Sequence, residues 1–485
     1  MIRQVSATAF LLLTSLLLAS CSGVPGGGCV VNCGGGTATV SLVLTATPAT
    51  PSDQLSIQSF TATITGITLS SATNPAVNIP LNATSYIADF NRVTSDSTLL
   101  AAKATVPADT YTSLTVTFSA PKLTFCTQLN SGTPGCTNGT LTVLTGAAGT
   151  ATVTSNLIVA AGQQTGIALN ANIGSTLTLN GQSITALNLG SASVFTALLL
   201  PPAATSTDLT TGQLSHVDDV LGVVTSVSGS IVTLKTTTRG SITATANSST
   251  QFSATSCITA DISCVVIGQL AVMDTILNSD GTLALSFFQP ILPTTSDVIE
   301  GVVSSVPDSV SQTFTIVATD TVFASSGSLI SGQLNLGDPV TVSLVNSSPF
   351  IVVDKGLIVP HSTFEGSTGV STILPGQTVA MPVTAFTAQS GSIPAAVTTS
   401  SLALRFTRFT GVATTVSSPL FSGDTLAPFT GIALPQSFQT TSGRLSLDGF
   451  SNLSSLPVGN TFSSSALFLG TTSTPAFAAQ TIRSH

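Results

Sequence analysis

Apolar and hydroxyl-bearing residues alternate along most of this chain. Phe60, Ala62 and Ile64 fall on one face, and Gly66 then shifts the phase to Ile67 and Leu69. A period of two is that of a strand with one buried face, and a glycine at a phase shift predicts a β-bulge. Leu114, Val116 and Phe118 repeat the pattern, as do Ile167, Leu169, Ala171 and Ile173. Leu177 and Leu179 run into Asn180-Gly181, a strong two-residue hairpin signal, and Asp280-Gly281 marks another. In the N-terminal half the pattern offers one short helix, from Ser97 to Lys103. The expectation is an all-β protein: a β-sandwich-like N-terminal domain, then two or three small OB-like β-barrel repeats.

The barrel expectation comes from an internal repeat. Gly222-Val-Val-Thr-Ser-Val227 recurs as Gly301-Val-Val-Ser-Ser-Val306 and, more loosely, as Gly411-Val-Ala-Thr-Thr-Val416. Each copy is followed by an apolar residue, Gly and a polar residue: Ile267-Gly268-Gln269, Leu336-Gly337-Asp338 and Val458-Gly459-Asn460, with Leu374-Pro375-Gly376-Gln377 as an extra. Units of this length are small domains in tandem rather than solenoid turns. Punctuation by Pro, Gly and Ser then divides the chain. Residues 1–20 are a signal peptide, 21–37 a Gly-rich tether, 38–197 the sandwich and 198–216 a linker. The barrel repeats occupy 217–292, 293–390 and 391–485.

Two resemblances fit this division. On Ile64-Thr-Gly-Ile-Thr-Leu69, Val106-Pro-Ala-Asp-Thr-Tyr111 and the Leu114-Val116-Phe118 alternation, residues from about 40 to 200 resemble domain-of-unknown-function family 4382. That family usually has Gly where Asp109 stands. On the Gly-Val-x-x-Val and Val-Gly-x elements, residues from about 217 onward resemble family 5666, a family of small barrels. Both resemblances imply a bacterial lipoprotein or envelope protein, and neither implies an activity.

The N-terminus points the same way. Arg3 precedes an apolar stretch from Ala7 to Ser20, too short for the roughly 20 residues that span a bilayer but sized for a signal peptide. Leu18-Ala19-Ser20-Cys21 resembles a bacterial lipobox, which implies cleavage before Cys21 and acylation of its sulfur. The other reading is an ordinary secretory signal with a chance Cys. Ser22 lacks the retention Asp of enteric bacteria, which favours the outer membrane and leaves periplasmic or surface display open. Seven cysteines are an odd number for an exported chain. Setting Cys21 aside leaves three close pairs: Cys29 with Cys33, Cys126 with Cys136, and Cys257 with Cys264. An oxidising compartment favours a local disulfide in each.

Composition narrows function mostly by subtraction. Only 6% of residues are charged, the net charge is −8, and eleven cations are spread over 485 residues. A phosphate backbone needs clustered cations, so nucleic acid is not an expected partner. With no Trp and only Tyr86 and Tyr111, aromatic sugar-stacking platforms and outer-membrane aromatic girdles are both short of residues. Ser119-x-x-Lys122 follows a strand and contains Pro121, whereas that motif works on a helix. Asp218-Asp219 and Asp297 could serve calcium, but solvated turn residues are the plainer reading. His216, His361 and His485 are isolated surface residues, and His485 at the end of the sequence is expected to be exposed. No catalytic, metal or cofactor site is expected. The expectation is a lipid-anchored, non-enzymatic binding or adhesion module, attached to a membrane through its lipid, with an envelope protein or a glycan as partner. The alternative is a structural spacer.

Overall fold

The structure is a computed structural model that describes residues 35–485, except 52–54, 128, 130–132, 137–140, 182, 201–215, 254–255, 279–280, 294–295, 360–361, 441–444, 449 and 471–475. The signal peptide, most of the tether, Cys21, Cys29 and Cys33 lie outside the described residues.

Period-two alternation becomes strand throughout. The first part contains β1 (Thr37–Thr47), β2 (Leu55–Ser70), β3 (Val77–Ile79), β4 (Tyr86–Asp89), β5 (Thr98–Pro107), β6 (Asp109–Phe118), β7 (Lys122–Thr127), β8 (Leu141–Thr145), β9 (Gly149–Val159), β10 (Gln164–Asn172), β11 (Leu177–Asn180), β12 (Ser183–Leu187) and β13 (Phe195–Leu200). One sheet runs β13–β10–β1–β5. The other runs β8–β7–β2–β6–β9, with β3 and β4 also on β2. Their facing sides share one apolar core that includes Leu42, Phe60, Ile64, Phe90, Leu100, Val116 and Ile167, as a β-sandwich requires. The phase shift at Gly66 is a register shift between Ile64 and Gly66 in the β2–β6 ladder. Asn180-Gly181 turns β11 into β12, with Gly181 at φ +61.

The helix expected over Ser97–Lys103 is instead β5. Leu, Ala and Lys are good helix formers, but intrinsic propensity is a weak bias that tertiary burial outweighs. Alternation in β5 sends Leu100 into the sandwich core and Leu99 the other way, into the core of the first barrel with Val43 and Ala168. The β1–β5 sheet is therefore covered on both faces.

The first barrel comprises β14 (His216–Ser228), β15 (Ile231–Lys235), β16 (Ser241–Phe252), β17 (Gln269–Leu277) and β18 (Leu283–Pro293). It closes in the order β14–β15–β16–β18–β17, with β16 and β18 parallel and β17 returning to β14. The second unit contains β19 (Val298–Val303), β20 (Thr313–Val322), β21 (Pro339–Leu344), β22 (Ile351–Val352), β23 (Thr378–Pro382), β24 (Ala385–Thr387), β25 (Ala395–Thr399) and β26 (Ala403–Arg405). It keeps the same connections, with β21 parallel to β25 and β19 beside β23, but it is open between β23 and β25. The third contains β27 (Thr407–Ser417), β28 (Leu420–Asp424), the four-residue helix α1 (Ala427–Thr430), β29 (Gln436–Thr440), β30 (Ser446–Asp448), β31 (Thr461–Phe468) and β32 (Phe477–Ser484). It repeats the first barrel's order as β27–β28–β29–β32–β31, closing through β27–β31, with β29 and β32 parallel. The loose sequence copy is thus a full topological copy. The second sheet includes β25 and β26, so the boundary with the third unit falls at Phe406 rather than at residue 390.

Both repeat elements have a steric cause. A Cβ on Gly222, Gly301 or Gly411 would meet the carbonyl oxygen of Lys235, Val317 or Asp424 at 2.7, 2.6 and 2.4 Å. No larger residue allows so close an approach of the second strand. In the downstream element Gly268, Gly376 and Gly459 have φ of +90°, +91° and +90°, and their amides donate to Val224, Val303 and Ala413, each two residues past the motif glycine. The counterpart in the second copy is therefore Leu374-Pro375-Gly376-Gln377. Leu336-Gly337-Asp338, the expected one, belongs to the β20–β21 connection, where Gly337 donates to Ala318. Among the described residues no helix is long and apolar enough to cross a membrane.

Candidate ligand cleft at the domain junction

A good part of the few charged side chains is gathered where the four units meet. In β14 a register shift between Val217 and Val220 makes a bulge, with Asp219 at φ +56. This turns the Asp219 carboxylate out of the barrel and into the junction. There it meets Arg405 Nη2 at 2.7 Å, Arg408 Nη2 at 3.3 Å, Arg92 Nη2 at 3.5 Å and Lys355 Nζ at 3.6 Å. Arg405 Nε donates to Glu300 at 2.8 Å. Lys355 Nζ donates to Asp274 at 2.8 Å and lies 4.6 Å from the centre of the Phe406 ring. Gln480 donates to the other Asp274 oxygen at 2.9 Å. Arg239 joins Asp320 at 3.1 Å, Arg408 also pairs with Asp96, and Arg483 donates to the carbonyls of Val93 and Thr94. Each structural unit contributes charge to this network, and Lys122 with Asp338 at 2.7 Å adds a second sandwich-to-barrel tie.

Burial alone would push the Asp219 carboxyl up, but Arg405, Lys355, Arg92 and Arg408 together hold it well below the ordinary carboxylate range. Neighbouring Asp218 goes the other way: burial, reinforced by the charge of Asp274, raises it well above that range. Asp218 and Asp219 are thus not solvated turn residues, because both are buried within β14. Asp297 is buried too. Its carboxylate accepts the amides of Ala324, Leu329 and Ile330 at 2.7, 2.6 and 3.3 Å and so orders the loop after β20. Among the described residues no group of three or more His, Cys, Asp and Glu side chains is arranged to hold a metal ion.

Above this network lies an open cleft. One wall is sandwich: Ser56, Ile57 and Gln58 from the start of β2, and Asp89, Asn91 and Arg92 from the turn after β4. The opposite wall is Glu300, Val302, Thr319 and Thr378 of the second unit. Phe406 to Phe409, with Leu426, Phe429 and Thr430, complete it. Past Arg408 a second depression continues, lined by Pro48, Pro51, Leu55 and Ile173, and Ile57, Asn91, Arg408 and Leu426 border both.

Two side chains of this wall each carry a buried polar atom that lacks a protein partner and is closed to the cleft. Gln58 is 3% exposed and uses its Nε2 on Ser56 Oγ at 2.5 Å, which leaves Oε1 unpaired. The Arg408 side chain is 9% exposed. Its Nη1 donates to Phe406 O at 3.0 Å and its Nη2 serves Asp96 and Asp219, while Nε is unpaired. Asp89 sits at the rim, and its Oδ1 accepts the amides of Asn91 at 3.0 Å and of Phe60 and Arg92 at 3.4 Å. Burial outweighs those bonds and pushes its carboxyl up to about 6.

The remaining expected sites are dispersed. Cys126–Cys136 and Cys257–Cys264 are disulfides with Cα separations of 5.7 and 5.4 Å. Lys122 of the Ser-x-x-Lys motif serves Asp338. His485 is half-buried rather than exposed; its Nε2 lies 3.0 Å from Ser463 Oγ, and burial, aided by Arg483, lowers it to about 3. His361 and the side chain of His216 lie outside the described residues. The junction was not anticipated, because cations far apart in sequence read as scattered. One signal was present: Leu404-Arg405-Phe406-Thr407-Arg408-Phe409 sets two arginines among apolar residues, a context that burial explains better than solvent does.

No known protein family matches the sequence, and no curated protein matches it. Solved structures similar to parts of it include drosophila Unr CSD456, at 5% identity over 56% of this chain and 96% of that one, with a TM-score of 0.12. Another is a multidomain protein with nucleic acid binding domains from Streptococcus pneumoniae, at 6% identity over 54% and 72%, with a TM-score of 0.11. The exclusion of nucleic acid as a partner is corrected here, since a neighbour described by its nucleic acid binding domains runs against it. Likeness this slight carries no argument about function in either direction.

Proposed function

We propose that this chain is a lipid-anchored cell-envelope protein that acts by binding rather than by catalysis, and that its ligand occupies the cleft at the junction. The observation that carries the binding reading is the open cleft between the sandwich and the second and third units, where Arg92, Glu300 and Arg408 lie beside Ile57, Leu426 and Phe429. Clefts at domain boundaries that combine apolar walls with a few placed polar groups are the usual form of small-molecule sites. Support for anchoring is the lipobox-like Leu18-Ala19-Ser20-Cys21 after its apolar stretch.

Saturation-transfer NMR with isopropanol, acetamide and phenol tests the binding reading. Transfer to at least one probe, abolished in Leu426→Trp, is the expected result; no transfer with the native chain sinks it. Intact mass of mature material tests the anchor, with an acylated Cys21 expected and a free N-terminal cysteine or an uncleaved chain counting against it. The second reading, a rigid spacer, is favoured by the ion-paired junction, which would hold the units at fixed angles.

A further inference from the structure

Among the buried ion pairs of the junction, Lys355 with Asp274 is the one whose groups can react with each other. An amine that gives up a proton is a nucleophile, whereas a guanidinium keeps its proton. The Lys355 side chain has no exposed surface, the Asp274 side chain is 2% exposed, and their charged groups meet at 2.8 Å. Asp274 belongs to β17 of the first barrel, and Lys355 lies between β22 and β23 of the second unit. Both are fixed from outside the pair. Lys355 has φ +50, its amide donates to Gln289 Oε1 at 3.0 Å, and its Nζ lies over the Phe406 ring. Asp274 Oδ1 accepts the Asp219 amide at 2.7 Å, and Oδ2 accepts Gln480 Nε2 at 2.9 Å. Donors on both oxygens draw electron density from Cγ, as an oxyanion hole does. The farther carboxylate, Asp219 at 3.6 Å from Nζ, is held ionised by three arginines as well as by Lys355.

A third carboxyl group stands beside this pair. In the β14–β17 ladder Val217 pairs with Thr275 and Val220 with Met273, so Asp218 and Asp219 together stand opposite Asp274. Asp218 is buried, and burial with the charge of Asp274 keeps its proton on. A buried acid is thus set against a buried amine and carboxylate.

We propose that Lys355 and Asp274 condense into an isopeptide bond that ties the first barrel to the second unit, with Asp218 as the proton carrier. One proton passes from Nζ to the Asp274 carboxylate, leaving a free amine and a carboxylic acid. The nitrogen lone pair then forms the N–Cγ bond. Asp218 gives its proton to the departing hydroxyl as the C–O bond breaks, and it recovers one from the nitrogen. The products are an amide and one water, and no oxidant, reductant or activating group is consumed. One positive and one negative charge vanish together, so the balance of the junction is kept, and Asp219 retains Arg92, Arg405 and Arg408. The amide also relieves the cost of holding two ions out of water. In open water hydrolysis would win. Here the groups are held in contact, which for well-oriented partners corresponds to effective molarities of roughly 10⁵–10⁸ M, and burial keeps bulk water from the product. The bond is independent of the binding reading and would serve a spacer equally well.

Peptide mapping of the reduced, full mature chain tests the bond. Chymotrypsin should release Asp274 and Lys355 on one branched peptide, lighter by one water than its two linear parts together, and trypsin should no longer cut after Lys355. Lys355→Met and Asp274→Leu should each give linear peptides only. Asp218→Asn keeps the side chain's size but carries no acidic proton, so the branched fraction at a fixed time after refolding should fall at least about tenfold. Thermal melts show whether each variant folds, and the native chain decides without them. If the folded native chain yields Asp274 and Lys355 on separate linear peptides, the proposal is overturned. It is overturned equally if the missing water maps within Asp280-Gly281, where a succinimide would lose the same mass. Full branching in Asp218→Asn would overturn the role given to Asp218.

Discussion

Arg408 and Phe409 are neighbours on β27, yet they serve two different interiors. Phe409 enters the third barrel, where it lies edge-on to Phe438, Phe468 and Phe477, while Phe438 stacks on Phe421 and Phe477 at 4.8 Å. Arg408 enters the junction with Asp96 and Asp219. The barrel interior is held by apolar burial, which is non-directional and tolerates small shifts. The junction is held by charge pairs that work only with each partner in place, since a lone buried ion is costly. Apolar packing makes each unit and also seals seams between them, as where Leu99 enters the first barrel and Leu221 joins Val298 in one cluster, whereas the ions fix the geometry of the junction.

The largest expected effects come from breaking either interior. Arg405→Ala removes the closest cation from both Asp219 and Glu300 and should cost about 3–5 kcal/mol. Phe438→Ala should cost a similar amount, about 3–5 kcal/mol, through the cavity it leaves. Urea unfolding gives the sizes, and hydrogen exchange separates the causes. Arg405→Ala should loosen amides around Asp219 in the first barrel and Glu300 in the second as well as around β26. Phe438→Ala should loosen the third barrel alone. The same exchange pattern in both variants would erase the distinction.

A smaller effect is expected from Gly411→Ala, whose Cβ would press on the Asp424 carbonyl. Overpacking of this kind should cost about 1–3 kcal/mol, and Gly222→Ala and Gly301→Ala should fall in the same range when measured the same way. A neutral result at any of the three would mean that the repeat glycine answers to something other than that close approach.

Titration separates the two regions by the direction of a pH slope. Asp89, beside the junction, has its folded value raised to about 6 from 3.8. It contributes stability that is fully present below pH 3.8 and is lost as pH rises through about 6. His485, at the end of the third barrel, is lowered to about 3 from 6.5. It is neutral in the folded chain while the unfolded chain takes up a proton, so its contribution is present above 6.5 and is lost as pH falls toward 3. Between pH 4 and 6 the two slopes oppose each other. Asp89→Asn should therefore make stability rise more steeply with pH there, and His485→Gln should flatten or reverse it. Unfolding midpoints across that range decide, and slopes that move in the same direction would refute the assignment.

Much of the architecture was legible along the chain. Alternation, the bulge at Gly66, the Asn180-Gly181 hairpin and the recurrence of Gly-Val-x-x-Val are local features, and strand geometry follows from them directly. The two described disulfides were legible too, since cysteines ten and seven residues apart can hardly avoid one another. Local preference misled at Ser97–Lys103, where two separate cores claim alternate leucines. It also misplaced the second Val-Gly-x element, because two glycines fit the pattern and only the hydrogen bond to Val303 tells them apart.

What tertiary structure alone decided is the junction and its cleft. Arg92, Asp219, Glu300, Lys355 and Arg408 come from four units and meet only after those units have folded and docked. Strand formation depends on neighbours two residues apart, so it can be read from the sequence. The pairing of charges hundreds of residues apart depends on how finished surfaces fit, and no local period encodes that.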